Sequence, residues 1–554
     1  MSTFTYHKPG IGNASSYIVS GTPWYTSSLA PALSTTSTVI NLPRVTNSIT
    51  IKNTSTTGDV LRFTLNDDNI VDNTNYITLE DGESFSAELR VVDVQLISDT
   101  ETPVPFTILA GLTNIDRTEM YGTVPSAPNL LAWVQKQKIL ANDPDGSPEG
   151  DAFGFRVTCA TDDLTKLFVS ALQDEQEEAG DYAGSIYVFE EIEGQYVQVQ
   201  AIEVPPELYQ IYAFMQPIAV SSDGTRLLTS NNTNKWAVFE SGSGGYNFMQ
   251  QLPIDKSAHT SGPANVGSFV GNDKIFFGST IENEAYVFHS GSGGYQLVQT
   301  LTASYDTTGA PEALTDRGFG VSLFADAIGD LVFVGAHEDD ENGTPAAGAV
   351  YVFQSSSLGY NQVQKLTASF NTDGTPESSP QGDQFGSRIS ITPDGRVIAI
   401  SADNDDEKGP SAGSVYIYES GSTGYQQIQK ITASADSDPS FDYFGFSISL
   451  DSVGETLVVG VPHDDAAGGD NTMFSGAGSV YIFKFDGSSF KQQEKLLPTE
   501  EPNPEANLFG YSLFLDKTGT RLIIGSANDE ENGGSNDAFS GAGSAYIFKY
   551  TRDY

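Results

Sequence analysis

Short runs of acidic residues recur along the chain, and their carboxylates are the groups best suited to bind a cation. The runs are Asp174–Glu178, Glu338–Glu341, Asp403–Glu407, Asp464–Asp465 and Asp529–Glu531. Ca²⁺ takes about six to eight oxygen ligands, which clustered carboxylates can supply. No run has EF-hand spacing, so a plain acidic surface is the first interpretation and at least one weak Ca²⁺ site is the second. The candidate ligands are Glu338, Asp339, Asp340, Asp403, Asp405, Asp464, Asp465 and Asp529.

Two of the five histidines stand beside these runs. His337 in GAHEDDENG and His463 in VPHDDAAGG occupy equivalent positions. A histidine next to carboxylates could bind a metal, but the related segments SALQDEQEE, SADNDDEKG and SANDEENGG have none there. A metal site repeated along the chain would keep its ligands, so we expect solvated loops at both histidines.

Signatures of catalysis are missing from the sequence. It contains no Gly-x-Ser-x-Gly turn, no P-loop and no His-Glu-x-x-His. With 72 acidic residues, carboxylate pairs arise by chance and do not indicate a glycosidase. The single cysteine, Cys159, lies in the strand-like segment FRVTCAT and is expected to be buried and unreactive. We therefore expect no enzyme and no cofactor, apart from weakly bound Ca²⁺.

The acidic composition limits the partners of the protein. At a net charge of −45 the surface repels nucleic acid, because binding a duplex depends on Lys and Arg that neutralise phosphates. No apolar run approaches the roughly 18 residues of a membrane span. The start, MSTFTYHKPG, lacks the basic-then-apolar order of a secretory signal. We expect synthesis in a cytoplasm, no nucleic-acid partner and no membrane insertion.

Each acidic run lies shortly before a copy of a strand-like segment, and this segment recurs seven times along the chain. Its copies are centred on Tyr187, Trp236, Tyr286, Tyr351, Tyr416, Tyr481 and Tyr546, and the last four intervals are 65 residues each. Short segments rich in Val, Ile, Tyr and Phe, repeated at such a period, indicate an all-β repeat array.

Each full unit contains four strand-like segments. In the fifth unit they are FGSRISI (385–391), RVIAISA (396–402), AGSVYIYE (412–419) and YQQIQKITA (425–433). Four antiparallel strands joined by turns make one blade of a β-propeller. The acidic runs join strands 2 and 3, and long connections join strand 4 to the next unit, so both groups of loops are expected at one end.

The fourth strand follows only six of the seven copies. After the seventh copy the sequence reads KYTRDY, whereas WVQKQKILA (133–141) matches YNQVQKLTA (360–368). Residues 131–141 are therefore expected to complete the last blade, which closes the ring and removes its free edges. The sequence predicts a seven-bladed β-propeller over residues 131–554.

Residues 1–125 differ in character, being rich in Thr, Ser and Asn. The strand candidates are SYIVSG (16–21), STVINL (37–42), SITIKN (48–53), VLRFTL (60–65), NYITL (75–79), FSAELR (85–90), VDVQLIS (92–98) and VPFTILAGL (104–112). Seven or eight short strands over this length indicate a β-sandwich. Residues 126–130 are expected to link it to the propeller.

The repeats resemble the FG-GAP family, which includes the propeller of integrin α chains. The resemblance rests on FGFRV, FGVSL, FGSRI, FGFSI and FGYSL, each followed by a segment such as VFVGA or IIGSA. It implies the propeller fold. The Asp-x-Asp-x-Asp-Gly calcium loop of integrins would lie between strands 1 and 2, where this chain has the tight turns TPDG (392–395) and DKTG (516–519). The integrin calcium sites are therefore not carried over.

Residues 15–115 resemble capsid-anchoring or decoration domains of virion proteins from tailed phages and other marine viruses. The pieces that carry the resemblance are VSGTPW (19–24), LPRVTNSITIKNT (42–54) and NYITLEDGES (75–84). It implies a virion surface protein whose residues 1–125 bind the capsid or another virion protein. The displayed propeller would attach to a host-surface glycan or protein. The alternatives are a capsid cement that recognises nothing, a cellular adhesion propeller and a polysaccharide-cleaving enzyme.

A thermal melt tests the two interpretations of the acidic runs. Carboxylates closer than the Debye length, about 8 Å at physiological salt, repel one another. Millimolar Ca²⁺ or Mg²⁺ should therefore raise the melting temperature modestly, and NaCl should give part of the effect by screening. A dedicated Ca²⁺ site predicts a saturable shift that NaCl cannot imitate. Identical curves in NaCl, MgCl₂ and CaCl₂ at matched ionic strength would exclude any specific role for divalent cations.

Overall fold

The computed structural model of the protein is all-β, and every regular element among the described residues is a strand. No helix in this part of the chain is long and apolar enough to cross a membrane. The chain forms two compact units, Met1–Leu130 and Leu131–Tyr554. The structure describes residues 23–30, 38–41, 44–65, 77–87, 93–99, 102–116, 131–141, 152–161, 164–171, 174, 184–203, 216–230, 236–254, 266–280, 282–311, 318–340, 344–377, 380–433, 439–465, 476–498, 507–529 and 542–552.

The first unit contains two four-stranded antiparallel sheets. Its strands are β1 Pro23–Ala30, β2 Thr38–Asn41, β3 Arg44–Asn53, β4 Leu61–Leu65, β5 Ile77–Leu79, β6 Ser84–Ala87, β7 Asp93–Ser98 and β8 Val104–Asp116. The sheet orders are β1-β8-β3-β6 and β2-β7-β4-β5. Ile51 and Ile108 from one sheet and Phe63 and Leu96 from the other share one buried core. Strand β1 was not predicted, and the candidate at 16–21 and the linker at 126–130 lie outside the described residues.

The described residues of the second unit form seven four-stranded antiparallel sheets. The first three are β10–β13 (Phe153–Ala160, Lys166–Ala171, Ser185–Ile192, Gln195–Ile202), β14–β17 (Gln216–Val220, Arg226–Ser230, Trp236–Gly242, Gly245–Gln251) and β18–β21 (Gly267–Val270, Lys274–Ser279, Glu284–Gly291, Gly294–Leu301). The next three are β22–β25 (Phe319–Ala325, Leu331–Ala336, Ala349–Ser356, Gly359–Leu366), β26–β29 (Ile389–Ile391, Val397–Ala402, Ser414–Gly421, Gly424–Ile431) and β30–β33 (Ser447–Leu450, Thr456–Val461, Ser479–Phe485, Phe490–Leu496).

The seventh sheet combines the two ends of the second unit. Its strands are β34 Phe509–Leu515, β35 Arg521–Ser526, β36 Ser544–Arg552 and β9 Leu131–Ile139. Strand β9 pairs with β36 along its whole length, as the sequence predicts, with Lys138 opposite Tyr546 and Trp133 opposite Tyr550. The first strands of the sheets, here called the inner strands, contact their neighbours in order from β10 to β34. Strand β34 in turn contacts β10.

The Phe-Gly pairs interrupt the inner strands rather than continue them. The predicted strand 385–391 forms a ladder only over Ile389–Ile391, and the pairing of β34 with β35 is shifted between Phe509 and Ser512. Gly386 adopts φ 96°, and a side chain there would clash with the Ala349 carbonyl oxygen. The Phe side chains are buried, so each pair fixes where an inner strand begins.

Side-chain amides connect six of the seven fourth strands of the second unit to the fourth strand of the next sheet. Gln364 donates from Nε2 to the Tyr425 carbonyl at 2.9 Å and accepts from the Tyr425 N–H at 2.9 Å. The same two bonds join Gln137 to Tyr196, Gln200 to Tyr246, Gln250 to Tyr295, Gln299 to Tyr360 and Gln429 to Phe490. A Gln amide satisfies both backbone groups because it carries a donor and an acceptor.

The remaining connection, between the sixth and seventh sheets, has a glutamate in place of the glutamine. The Trp133 N–H donates to Glu494 Oε2 at 3.5 Å. An ionised carboxylate cannot donate to the Trp133 carbonyl, so only half of the pair can form. Burial raises the pKa of Glu494, and the bond from Trp133 only partly offsets this.

Replacing Glu494 by glutamine should stabilise the protein. E494Q supplies the missing donor and removes a partly buried charge, which we expect to add about 1 kcal/mol to the free energy of unfolding. Urea unfolding at neutral pH measures the change. The reciprocal variant Q429E, at the neighbouring connection, should lose a similar amount. If E494Q is no more stable than the wild type, a bond to the Trp133 carbonyl adds nothing to the connection between the sixth and seventh sheets.

Candidate functional site

The acidic candidates divide into buried and exposed groups. Asp339, Asp403, Asp405, Asp464 and Asp529 are buried, whereas Glu338 and Asp340 are exposed and Asp465 is half-buried. The expectation of a plain acidic surface is therefore wrong for five of the eight residues. Their carboxylates lie inside the repeat because polar partners converge on them.

One arrangement recurs around four of these buried carboxylates. In the fourth sheet, Asp339 accepts hydrogen bonds from the Tyr351 hydroxyl at 2.5 Å and from Lys365 Nζ at 2.9 Å. Lys365 lies opposite Tyr351 on the neighbouring strand, with Nζ 5.2 Å from the centre of the tyrosine ring. The equivalent trios are Asp405, Tyr416 and Lys430; Asp464, Tyr481 and Lys495; and Asp529, Tyr546 and Lys138.

The recurring trios fix the beginning of each acidic loop. The backbone carbonyl of each aspartate also accepts the N–H of the glycine that starts the third strand, as from Gly348 to Asp339 at 3.0 Å. A buried carboxylate needs a cation or several donors, because an uncompensated charge in the interior is costly. The first sheet keeps Asp174 and Tyr187, 3.0 Å apart, but has Ala201 in the lysine position. The trios hold the loops and leave the aspartates little freedom for other ligands.

In the fifth sheet, two further carboxylates join the trio by contacting Lys430. Lys430 Nζ lies 2.7 Å from Asp405, 3.0 Å from Glu407 and 3.1 Å from Glu377. Hydrogen bonds between Gln427 and Phe370 pin the connection that brings Glu377 to this position. We call this group, together with Asp383, the Lys430 pocket.

Asp383 is the unusual member of the Lys430 pocket. It is buried, and its Oδ1 atom has no hydrogen-bond partner among the described residues. Burial, together with the charges of Asp405 and Glu377, raises the pKa of Asp383 to about 8. Burial would raise the pKa of Glu407, but hydrogen bonds from Thr372, Lys408 and Lys430 outweigh this effect. They lower the pKa of Glu407 to about 2.

The Lys430 pocket is where carboxylates could hold a divalent cation. One oxygen from each of Glu377, Asp383 and Asp405 lies within 4.8 Å of the others. Of these, only Asp405 was among the sequence candidates. Lys430 already supplies a positive charge there, so a cation would have to share the carboxylates with the ammonium group.

The two histidines are not in solvated loops, contrary to expectation. His463 is buried against Tyr443, with ring centres 5.2 Å apart, and burial lowers its pKa to about 4. It is therefore neutral at physiological pH. His337 is half-buried next to Glu338, and burial lowers its pKa as well. The side chain of Cys159 lies outside the described residues.

Half-buried aromatic side chains face one another where the inner strands begin. Each follows a Phe-Gly pair: Phe155 in the first sheet, Phe446 in the sixth and Tyr511 in the seventh. The Tyr511 ring lies 4.9 Å from Phe155 and 4.8 Å from Phe446, measured between ring centres. These residues lie at the end of the sheets that carries the acidic loops and the long connections, here called the loop-bearing end.

Two arginines join these aromatic rings. The guanidinium of Arg388 lies 5.3 Å from the centre of the Phe446 ring. Burial and the nearby charge of Arg388 lower the pKa of Arg156 to about 10, so Arg156 remains charged at neutral pH. No carboxylate is in ion-pair contact with Arg388 among the residues that the structure describes.

The arginines replace a serine that connects neighbouring sheets. Two residues after Phe-Gly, Ser322 donates to the Gly386 carbonyl at 2.7 Å and Ser447 to that of Gly510 at 2.7 Å. Ser512 makes the same bond to Gly154 at 3.0 Å. The two other copies read FGFR and FGSR, which put Arg156 and Arg388 at the serine position. The sequence search for chemistry missed both, although the mismatch between copies was a usable signal.

Sequence comparison agrees with the repeat structure. The family model described as FG-GAP repeat matches residues 360–418 and 425–483. The chain contains FG-GAP repeats. Each match begins at the fourth strand of one sheet and ends in the third strand of the next, so the family repeat spans a junction between sheets. With the successive four-stranded sheets, these repeats make the second unit a β-propeller. A search of curated proteins gives no match.

Several solved structures are similar at low sequence identity. The β-propeller domain of Cps50 (Swd1) from Myceliophteria thermophila is 10% identical, with a TM-score of 0.47 over 76% of this chain and 100% of that chain. A Lactobacillus plantarum protein is 13% identical, with a TM-score of 0.42 over 63% and 86%. A chain of a mitotic checkpoint complex is 10% identical, with a TM-score of 0.47 over 78% and 95%. No function is transferred from them to this chain.

The raised pKa of Asp383 predicts how stability depends on pH. Between about pH 4 and pH 8 the folded protein binds a proton at Asp383 that the unfolded chain does not, so stability falls as pH rises through this window. In D383N this contribution disappears. We expect its melting temperature to vary less between pH 5 and pH 8 and to exceed that of the wild type at pH 8.

The control variant is D373N. Asp373 lies in the connection that supplies Glu377, but it is exposed, and hydrogen bonds from Thr375 lower its pKa. Its proton is lost below the window, so D373N should retain the pH slope of the wild type. Parallel slopes for D383N and the wild type would show that Asp383 ionises normally in the folded protein.

Proposed function

We propose that the protein is a virion structural component of the decoration or fibre type. In this proposal the first unit is a β-sandwich that binds the capsid or another virion protein. The second is a seven-bladed propeller, closed by β9, that attaches to the host surface. The resemblance of residues 15–115 to capsid-anchoring domains supports the first role. The loop-bearing end supports the second.

The observation that carries the attachment role is the chemistry of that end. The end of the sheets at which the acidic loops begin carries a half-buried group of three aromatic rings and two arginines. Aromatic and arginine side chains are enriched in binding sites, and loops on a rigid scaffold commonly carry recognition. The Gln and Ser connections between sheets supply that rigidity.

The described residues offer more to a binding role than to a catalytic one. The buried aspartates are engaged by lysine and tyrosine, and the buried histidine His463 is neutral and packed against aromatic rings. A cement protein that only stabilises the shell would not require charged arginines at the junctions between inner strands. The proposal therefore favours attachment over cement.

Mass spectrometry of purified particles tests the virion role. We expect the intact chain to co-purify with particles through a density gradient and to resist a wash in moderate salt. The major capsid protein serves as the internal standard for copy number. Recovery of the chain only from the soluble fraction or from cell envelopes would contradict a virion role and favour the cellular adhesion alternative.

Attachment is tested with the full chain on host cells. The fluorescently labelled protein should bind cells saturably, and an excess of unlabelled protein should displace it. If the chain is found on particles but does not bind cells, the cement alternative replaces attachment. The two measurements therefore separate the anchoring role from the display role.

A further inference from the structure

We propose that the group formed by Arg156, Arg388, Phe155, Phe446 and Tyr511 binds an acidic sugar, one whose ring carries a carboxylate. This inference rests on the attachment role proposed above and names its ligand class. The five side chains come from the beginnings of four inner strands and meet at the loop-bearing end. We call them the arginine–aromatic site.

The charge of the site selects an anion. In a protein of net charge −45, two guanidinium groups are held close enough for one to lower the pKa of the other. A second guanidinium near Arg388 adds to the attraction that Arg388 exerts on an anion. A planar guanidinium binds a carboxylate through two parallel hydrogen bonds, which makes arginine the usual choice for such ligands.

Within the part of the chain that the structure describes, no carboxylate forms an ion pair with Arg388. Asp403 and Arg388 both act on the pKa of His337, so Asp403 is one acidic group in this region. Asp403 is buried and accepts a hydrogen bond from Ser387 at 2.8 Å. Arg388 itself donates to the Ser387 carbonyl at 2.8 Å and otherwise stacks on Phe446. Donors of its guanidinium therefore remain for a ligand.

The aromatic rings favour a sugar over a simple anion. Phe155, Tyr511 and Phe446 form a continuous row of half-buried rings beside the arginines. Binding sites for small molecules combine such apolar surfaces with a few well-placed polar groups. The apolar face of a pyranose ring fits an aromatic side chain, while its carboxylate reaches the guanidinium.

Comparison of the repeats shows that arginine replaces a serine that other copies use to stabilise the fold. Three copies use serine at this position to bond the next sheet, whereas Arg388 donates to the carbonyl of Ser387 in its own sheet. Restoring serine at position 388 should therefore leave the fold intact, because Ser322 and Ser447 occupy the same position in neighbouring sheets. This gives a variant that removes the guanidinium without a new structural demand.

The test measures binding of glucuronate and of its neutral analogue glucuronamide to the full chain by ligand-observed NMR and calorimetry. Wild-type protein should bind glucuronate in the millimolar range or tighter and glucuronamide at least about tenfold more weakly, the loss expected for a charge-assisted hydrogen-bond pair. R388S should bind glucuronate about tenfold more weakly, with a melting temperature equal to or above that of the wild type. The control R396S removes an exposed arginine, paired with Glu419 at 2.8 Å in the same sheet, and should bind as the wild type does.

Each other outcome overturns the inference. These outcomes are no binding of glucuronate by the wild type, equal binding of the acid and the amide, or equal losses in R388S and R396S. The cell-binding measurement keeps the attachment role separate. If R388S binds cells as well as the wild type does, the attachment role stands but an acidic sugar is excluded as its ligand. If the protein binds glucuronate but not cells, the sugar-binding site stands and the attachment role is contradicted.

Discussion

Burial of one carboxylate at the start of each long acidic loop is the interaction on which the loop-bearing end depends. An ionised aspartate in the interior requires a counter-charge and donors. The fourth to seventh sheets provide both through a lysine and a tyrosine on the third and fourth strands. The trio therefore holds the first residues of the loop against the third and fourth strands. Much of the acidic character of these segments therefore serves the scaffold rather than the surface.

Hydrogen bonds from polar side chains also join the sheets to one another. A glutamine amide satisfies a backbone N–H and carbonyl of the next fourth strand, and a serine hydroxyl satisfies a glycine carbonyl of the next inner strand. Buried backbone groups that lacked these partners would each lose a hydrogen bond. Hydrophobic packing between sheets is not directional, whereas these bonds fix the register of one sheet against the next. A scaffold defined in this way can present loops of different lengths.

Departures from the repeat concentrate at the loop-bearing end. Arg156 and Arg388 replace a serine that bonds the next inner strand in three other copies. Ala201 replaces the lysine of a trio. Each departure gives up an interaction that other copies keep. Functional sites are where a protein tolerates such local losses, which is why the arginine–aromatic site rather than the regular trios is the proposed binding surface.

The sequence by itself determined the all-β class, the seven repeated units and the pairing of residues 131–139 with the last strand. These follow from local patterns: the alternation of side chains, the turn glycines and the count of fourth strands. The glutamine of six fourth strands was also visible in the sequence but was not recognised, because a repeated residue type gives no sign of its partner.

Only the tertiary structure decided which acidic residues are buried and which residues form the candidate site. Asp339 and Asp340 are adjacent and identical in type, yet one is buried and the other is exposed. The difference arises from Lys365 and Tyr351, which other strands bring to Asp339. The contacts of Phe155 with Tyr511 likewise join residues more than half the chain apart. Local sequence fixes backbone conformation, but the burial and charge of a side chain depend on neighbours that distant segments supply.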